Sequence, residues 1–71
     1  MYTYIIIDDE RLIRLGLISK INEISSEKFE CVGEAENGQK GMELLEEITP
    51  DIIITDMKMA KMDGVEFLKK L

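Results

Sequence analysis

Three aspartates, two adjacent and one far along the chain, each follow a short apolar run. Asp8 and Asp9 follow residues 4–7, and Asp56 follows residues 52–55. A run that is apolar at consecutive positions is typical of a strand covered on both faces, as in a parallel sheet. Ligands bind at the carboxyl ends of such strands. If the two strands are neighbours, the three carboxylates meet at one edge and repel one another, which favours a hard divalent cation.

A carboxylate beside a bound cation has a specific chemistry available to it. It can attack a phosphoryl group and form an acyl phosphate, and Mg²⁺ then offsets the repulsion between the two anions and orients the oxygens. The alternative is that carboxylates follow strands only because they cap the next helix. That alternative stays open for Asp9 alone, whereas the matched positions of the pair and Asp56 favour a cation site.

The elements that would position these residues alternate along the chain. Apolar runs and periodicities predict strands over residues 1–7 and 29–35 and at 52–55, with helices over residues 10–24 and 39–48 and a third helix opening at residue 63. Strands that alternate with helices indicate right-handed βαβ units and a parallel sheet. The predicted fold is therefore a doubly wound α/β sheet, βαβαβα.

Further predictions concern the helix ends and the packing of the first helix. Asp9 is a candidate N-cap of the first helix and Asn37 of the second. Gly16 lies inside the first helix, where it costs about 1 kcal/mol against alanine, so we expect close packing there. The first helix is expected to carry an apolar stripe made of Leu12, Ile13, Leu17, Ile21 and Ile24.

Composition excludes several classes of function. The 71 residues suffice for one small domain over residues 1–71, and the net charge of −6 argues against binding of nucleic acid or anionic lipid by this segment. The chain has one cysteine, Cys31, and no histidine, which excludes an internal disulfide and any histidine-based zinc or catalytic site. With neither a targeting segment nor a membrane span visible, we expect a cytoplasmic protein without membrane contact.

Four motifs, in order and at characteristic spacing, resemble the receiver domains of bacterial two-component response regulators. They are residues 5–10 (IIIDDE), 35–38 (AENG), 50–59 (PDIIITDMKM) and 62–64 (MDG). The resemblance runs the whole length of the chain, and includes receivers at the head of AraC-like transcriptional regulators. It implies a flavodoxin-like (CheY-like) sheet of strand order 2-1-3-4-5.

The resemblance also implies roles for individual residues. Asp56 matches the phosphoacceptor that receives a phosphoryl group from a histidine kinase. Asp9 matches a direct Mg²⁺ ligand, Asp8 the acidic neighbour that helps to hold the metal, and Lys58 the position whose backbone carbonyl completes the metal shell. Such a domain is a phosphoryl acceptor more than an enzyme, with at most weak self-phosphorylation and self-dephosphorylation, and it regulates an output that is commonly transcription through a DNA-binding domain.

The sequence departs from the family pattern in the loop after Asp56 and in length. Ala60 and Lys61 stand where proline and glycine are usual. Receivers have five strands, so we expect this chain to be the first part of a receiver, without the fourth-strand Ser/Thr and the fifth-strand Lys. The strand over residues 52–56 would then be an edge strand, which recruits another strand, and we expect a homodimer or other oligomer that covers it.

Two other functions remain open at this point. The first is a receiver remnant that acts as a protein-interaction module without being phosphorylated. The second is a Mg²⁺-dependent phosphohydrolase with an aspartate nucleophile, which the resemblance disfavours. Such enzymes carry a second aspartate two residues after the nucleophile, where this chain has Lys58 after Asp56 and Glu10 after Asp8.

Overall fold

The computed structural model describes residues 1–56. They form β1 (Tyr2–Ile7), α1 (Arg11–Ser25), β2 (Phe29–Ala35), α2 (Gly38–Glu47) and β3 (Ile52–Thr55). The alternation is the one predicted, with each of these two helices displaced by one residue at either end. The predicted third helix lies outside the described residues. Neither helix within residues 1–56 is long and apolar enough to span a bilayer.

The sheet is parallel and has β1 at its centre. Its strand order is β2-β1-β3, which confirms the order expected for the first three strands. At the carboxyl end of the sheet Ile7 pairs with both Ala35 and Thr55. The last four residues of β1, Tyr4–Ile7, are fully buried, so the prediction that this apolar run is covered on both faces is confirmed.

The two helices cover opposite faces of the sheet. On the α2 face, Ile5 and Ile7 form a core cluster with Ala35, against which Met42, Leu44, Leu45, Ile48 and Ile53 pack. On the α1 face a small apolar pocket is lined by Tyr4, Ile21, Phe29, Ile52 and Ile54. This arrangement follows from the topology, because α1 leads to one side of β1 and α2 leads back to the other, and right-handed crossovers then place them on opposite faces.

A bulge in β2 sets how closely α2 approaches the sheet. Val32 is an extra residue between the partners of Tyr4 and Ile5, so the residue that follows it, Gly33, turns to the α2 face. A Cβ atom at Gly33 would lie 3.3 Å from Leu44 Cδ1. The missing side chain therefore leaves the space that α2 fills.

The predicted apolar stripe of α1 is only partly in contact with the sheet. No residue of α1 is buried, and Leu12 and Ile24 are 83% and 73% exposed, whereas Ile21 is half-buried against the pocket. The apolar stripe of α1 is wider than the surface that the three described strands offer to this helix, so part of the stripe has no contact with the sheet. The expectation of close packing at Gly16 is wrong for residues 1–56, because an added Cβ there has no atom within 4 Å apart from the adjoining residues and backbone of its own helix.

The two predicted helix caps have different outcomes. Asn37 is the N-cap of α2, and its side-chain oxygen accepts a hydrogen bond from the Lys40 N–H at 2.9 Å, as predicted. The prediction for Asp9 is wrong. Glu10 occupies the cap position of α1 without a side-chain cap bond, because Asp8 Oδ1 accepts from the Glu10 N–H at 2.9 Å and forms a local turn ahead of the helix.

The third strand is an edge strand in the described part of the chain. There it pairs with β1 alone. Ile52 is 38% exposed, and Ile53–Thr55 are half-buried, so the prediction that this run is covered on both faces does not hold for residue 52 within residues 1–56. The part of the α1 face beside β3 is consequently apolar and partly accessible among the residues that the structure describes.

Candidate metal centre

The carboxyl ends of β1 and β3 lie side by side at the same edge of the sheet. The residue after each of these strands is hydrogen bonded to the last residue of the neighbouring strand. The Asp56 N–H donates to the Ile7 carbonyl at 3.0 Å, and the Asp8 N–H donates to the Ala35 carbonyl at 3.0 Å. These bonds continue the register of the sheet by one residue beyond the strands. They fix Asp8 and Asp56 at the same edge, next to each other.

The three aspartate carboxylates converge at this edge. One oxygen from each of Asp8, Asp9 and Asp56 lies within 4.8 Å of the other two. Asp8 is buried, at 7% exposure, while Asp9 and Asp56 are exposed. The structure therefore brings together the three carboxylates that the sequence singles out, with one at the floor of the cluster and two at its open side.

Asp8 is held by hydrogen bonds through its backbone and its side chain. Besides its N–H bond to β2, its Oδ1 accepts from the Glu10 N–H at 2.9 Å, and its carbonyl oxygen accepts from Arg14 Nη1 at 2.7 Å. The Oδ1 bond fixes the orientation of the carboxylate. A buried carboxylate with a fixed orientation suits a metal ligand better than a group that must reach a large incoming substrate.

The donor set fits magnesium. Mg²⁺ prefers oxygen ligands at about 2.1 Å, so two of its ligand oxygens lie at most about 4.2 Å apart. The separation of up to 4.8 Å between the carboxylate oxygens needs only a small closure to meet that geometry. Magnesium typically keeps several waters and takes one or two carboxylates, which two exposed side chains and one buried one can supply.

Two residues complete the description of the acidic cluster, the predicted ligand Lys58 and the unpredicted Arg14. Lys58, whose carbonyl is expected in the metal shell, lies outside the described residues. Arg14, which the sequence analysis did not single out, contacts the acidic turn directly through the Asp8 carbonyl. The only sequence signal for it is a cation four residues after Glu10, at the start of a helix where a positive charge is disfavoured.

The start of β3 is also fixed by side-chain contacts. Asp51 accepts hydrogen bonds from the Thr3 N–H at 2.8 Å and from the Thr3 hydroxyl at 3.2 Å, and its own N–H donates to the Thr3 carbonyl at 3.0 Å. These bonds connect Asp51, the residue immediately before β3, to β1. The position of Asp56 at the other end of the strand follows from that register.

Two titratable groups with displaced pKa values lie away from the acidic cluster. Burial raises the pKa of the Tyr4 hydroxyl above its ordinary value, and the charge of Cys31 adds to the effect. Burial likewise raises the pKa of the Cys31 thiol, an effect that a backbone hydrogen bond with Gly33 lowers in part. Both groups are therefore neutral near pH 7.

Known proteins with similar sequences are bacterial response regulators. The chain is 43% identical over 72 residues to the nitrate/nitrite response regulator protein NarL of Escherichia coli, with 97% of this chain covered. It is 35% identical over 71 residues to the transcriptional regulatory protein LiaR of Bacillus subtilis, with all of this chain covered. The chain spans 31% and 33% of those two proteins, about a third of their length.

Two solved structures share the fold over nearly the whole chain. A two-component transcriptional regulator AraC from Clostridium phytofermentans superposes with a TM-score of 0.84 at 31% identity, covering 99% of this chain and 56% of the other. RcsB from Salmonella enterica, bound to promoter rprA with BeF3⁻, superposes with a TM-score of 0.85 at 27% identity, covering 99% and 36%. The family model of the response regulator receiver domain matches residues 4–71, and this chain belongs to that family.

Proposed function

We propose that this chain is a phosphoacceptor of a two-component signalling pathway, and that Asp56 receives the phosphoryl group. The observation that carries the proposal is the convergence of the Asp8, Asp9 and Asp56 carboxylates within 4.8 Å at the carboxyl end of two adjacent parallel strands. Asp56 is exposed, so a phosphodonor can approach it. The buried Asp8 is the less accessible carboxylate, which suits a ligand better than a nucleophile.

The transfer is a displacement at phosphorus. A carboxylate oxygen of Asp56 attacks the phosphorus atom, the bond from phosphorus to the donor atom breaks, and the product is an acyl phosphate on Asp56. Asp8, Asp9 and Asp56, with the Lys58 carbonyl, would hold Mg²⁺, which when bound offsets the repulsion between the carboxylate and the phosphoryl oxygens. The chain supplies a nucleophile and ligands, and the energy for transfer comes from the phosphodonor.

The phosphodonor and the output are proposed from the family. We expect a phosphohistidine of a histidine kinase as donor, and regulation of transcription as the output of a longer protein with a DNA-binding domain. Two relatives are regulators of transcription or of the nitrate response by name, and the RcsB chain is bound to a promoter. The net charge of −6 disfavours DNA contact by this segment itself.

The decisive experiment is intact mass spectrometry after incubation with Mg²⁺ and a small acyl phosphate. We expect the mass of one added phosphoryl group on the wild-type chain, and none with Asp56→Asn or with a chelator. The matched control is Glu43→Gln, which also removes one carboxylate, on the exposed side of α2. No added mass on a chain shown to be folded by circular dichroism would overturn the proposal and favour an interaction module.

We also propose that the edge of β3 pairs with a second copy of the chain. In the described part of the chain, Ile52 is exposed and lines an apolar pocket of about 150 Å³, whose wall also includes Tyr4. Two-fold pairing of two such edges is antiparallel and satisfies both at once. Light scattering at high concentration should show a dimer. The Ile52→Lys substitution should disrupt this dimer, whereas the control Leu12→Lys, on the exposed side of α1, should not. A monomeric wild-type chain would overturn the proposal.

A further inference from the structure

Arg14 connects three elements that meet beside the acidic cluster. It lies near the start of α1, and its side chain is only 14% exposed. Its Nη1 donates to the carbonyl oxygen of Asp8 at 2.7 Å, and its Nε donates to Oε1 of Glu34 in β2 at 3.0 Å. One side chain thus joins the first turns of α1, the turn after β1, and the neighbouring strand.

This position is an unfavourable one for a cation without a specific partner. The start of a helix carries partial positive charge, and burying most of an arginine side chain restricts its rotamers. The two charge-assisted hydrogen bonds offset both the repulsion from the helix dipole and the loss of rotamer freedom. Because partly buried ion pairs often contribute little net stability, their role is more readily explained by the geometry they impose on the turn than by the stability of the fold.

We infer that Arg14 is a positioning residue for the metal ligands, an inference that rests on the proposed Mg²⁺ site. The Asp8 carbonyl belongs to the peptide that links Asp8 to Asp9, so a hydrogen bond to that carbonyl fixes the plane of this peptide. The Asp8 N–H and Oδ1 are already bonded to Ala35 and Glu10. Arg14 supplies the remaining constraint, and it determines the direction in which the Asp9 backbone leaves the turn.

Glu34 orients the guanidinium for this task. It pairs with Nε and thereby presents Nη1 to the carbonyl, a use of the rigid fork of arginine that lysine cannot reproduce. Glu34 also offers the guanidinium a carboxylate outside the acidic cluster. The pair therefore keeps the positive charge on the β2 side of the turn and away from the position that the metal ion would take.

Positioning and simple electrostatics predict opposite effects when Arg14 loses its charge. Removal of a positive charge near an acidic cluster strengthens the attraction for Mg²⁺. Loss of a group that orients ligands weakens binding, typically by about 10–100-fold. Arg11→Gln gives the electrostatic effect alone, because Arg11 is an exposed residue of the same helix turn with the same change of charge.

The test is a calorimetric titration of the unphosphorylated chain with MgCl₂. We expect Arg14→Gln to raise the Kd for Mg²⁺ about 10-fold or more, and Arg14→Lys to raise it by several-fold despite the retained charge. Arg11→Gln should leave the Kd within about 2-fold of wild type. Urea unfolding of each variant establishes that the fold is retained.

Glu34→Gln provides a second variant in case Arg14→Gln does not fold. It keeps an acceptor for Nε but removes the charge, and a rise of about 3-fold in the Kd is expected. A folded Arg14→Gln or Glu34→Gln chain that binds Mg²⁺ as tightly as wild type, or more tightly, would overturn the positioning role while the proposed function stands. A wild-type chain that is folded and binds no Mg²⁺ would overturn both.

Discussion

Neutralising Asp9 should stabilise the chain in the absence of Mg²⁺. The Asp9 carboxylate has an oxygen within 4.8 Å of oxygens of Asp8 and Asp56, and at that distance two unit charges in water repel by about 0.9 kcal/mol. Because Asp9 is exposed, the water-like value is the appropriate one. Asp9→Asn removes two such repulsions, so the free energy of unfolding should rise by about 1–2 kcal/mol at low ionic strength.

Added Mg²⁺ should reverse the order of stability. A ligand that binds only the folded chain stabilises it by RT ln(1 + [L]/Kd), which is about 1.4 kcal/mol at ten times the Kd. We expect the wild-type chain to gain this stabilisation, and the Asp9→Asn chain, which lacks one of the proposed ligands, to gain little of it. The stabilising effect of the substitution therefore shrinks to near zero in Mg²⁺, and at higher concentrations wild type becomes the more stable chain.

The assay is urea unfolding followed by circular dichroism, with a chelator and with MgCl₂. For a small domain with an m value of about 1 kcal/mol/M, the expected shift of the midpoint in chelator is about 1–2 M. Glu23→Gln makes the same change of net charge, about 18 Å along α1 from its first residue. The reasoning is refuted if Asp9→Asn and Glu23→Gln have equal midpoints in chelator, or if both gain equally from Mg²⁺.

Further predictions concern four single residues, and the three substitutions among them are checked by the same unfolding assay. Gly16→Ala should stabilise the chain by about 1 kcal/mol, because an added methyl meets open space on a helix. Gly33→Val should destabilise it by about 2 kcal/mol, because its Cβ would lie 3.3 Å from an α2 side chain. Asn37→Ala should cost about 1 kcal/mol through loss of the cap bond to Lys40. Alkylation of Cys31 by iodoacetamide, followed by mass spectrometry, should be slower at pH 8 in the folded chain than in an unfolded control, because burial raises the pKa of this thiol. For the same reason, the free energy of unfolding should fall as the pH rises above the ordinary pKa of a thiol, since the unfolded chain then loses this proton first.

The features that the sequence predicts correctly depend on local patterns. The apolar run before Asp8 is typical of a strand covered on both faces, and the structure buries it completely. An asparagine before Gly38 is a strong helix cap by itself, and it caps α2. The convergence of the acidic residues follows from two strand ends in a parallel sheet, once β1 and β3 are taken as neighbours.

The features that the sequence does not predict depend on tertiary contacts. Asp9 is the better cap by residue type, and only the turn made by Asp8 Oδ1 places the start of α1 one residue later. The bulge at Val32 leaves no pattern, because it appears only when β2 is aligned with β1. The role of Arg14 requires knowing that Glu34 and the Asp8 carbonyl lie on the same side of the sheet.

The site owes its geometry to the register between β1 and β3, a short strand pair at the edge of the described sheet. A shift of the register by one residue would move Asp56 by about 3.3 Å, and it would turn every side chain of β3 to the opposite face of the sheet. Asp51 prevents this at the start of β3 through its bonds to Thr3, and the Asp56 N–H bond to Ile7 prevents it at the end. An edge strand of four residues can therefore hold the Asp56 carboxylate in a defined position, because both of its ends are bonded to the buried central strand.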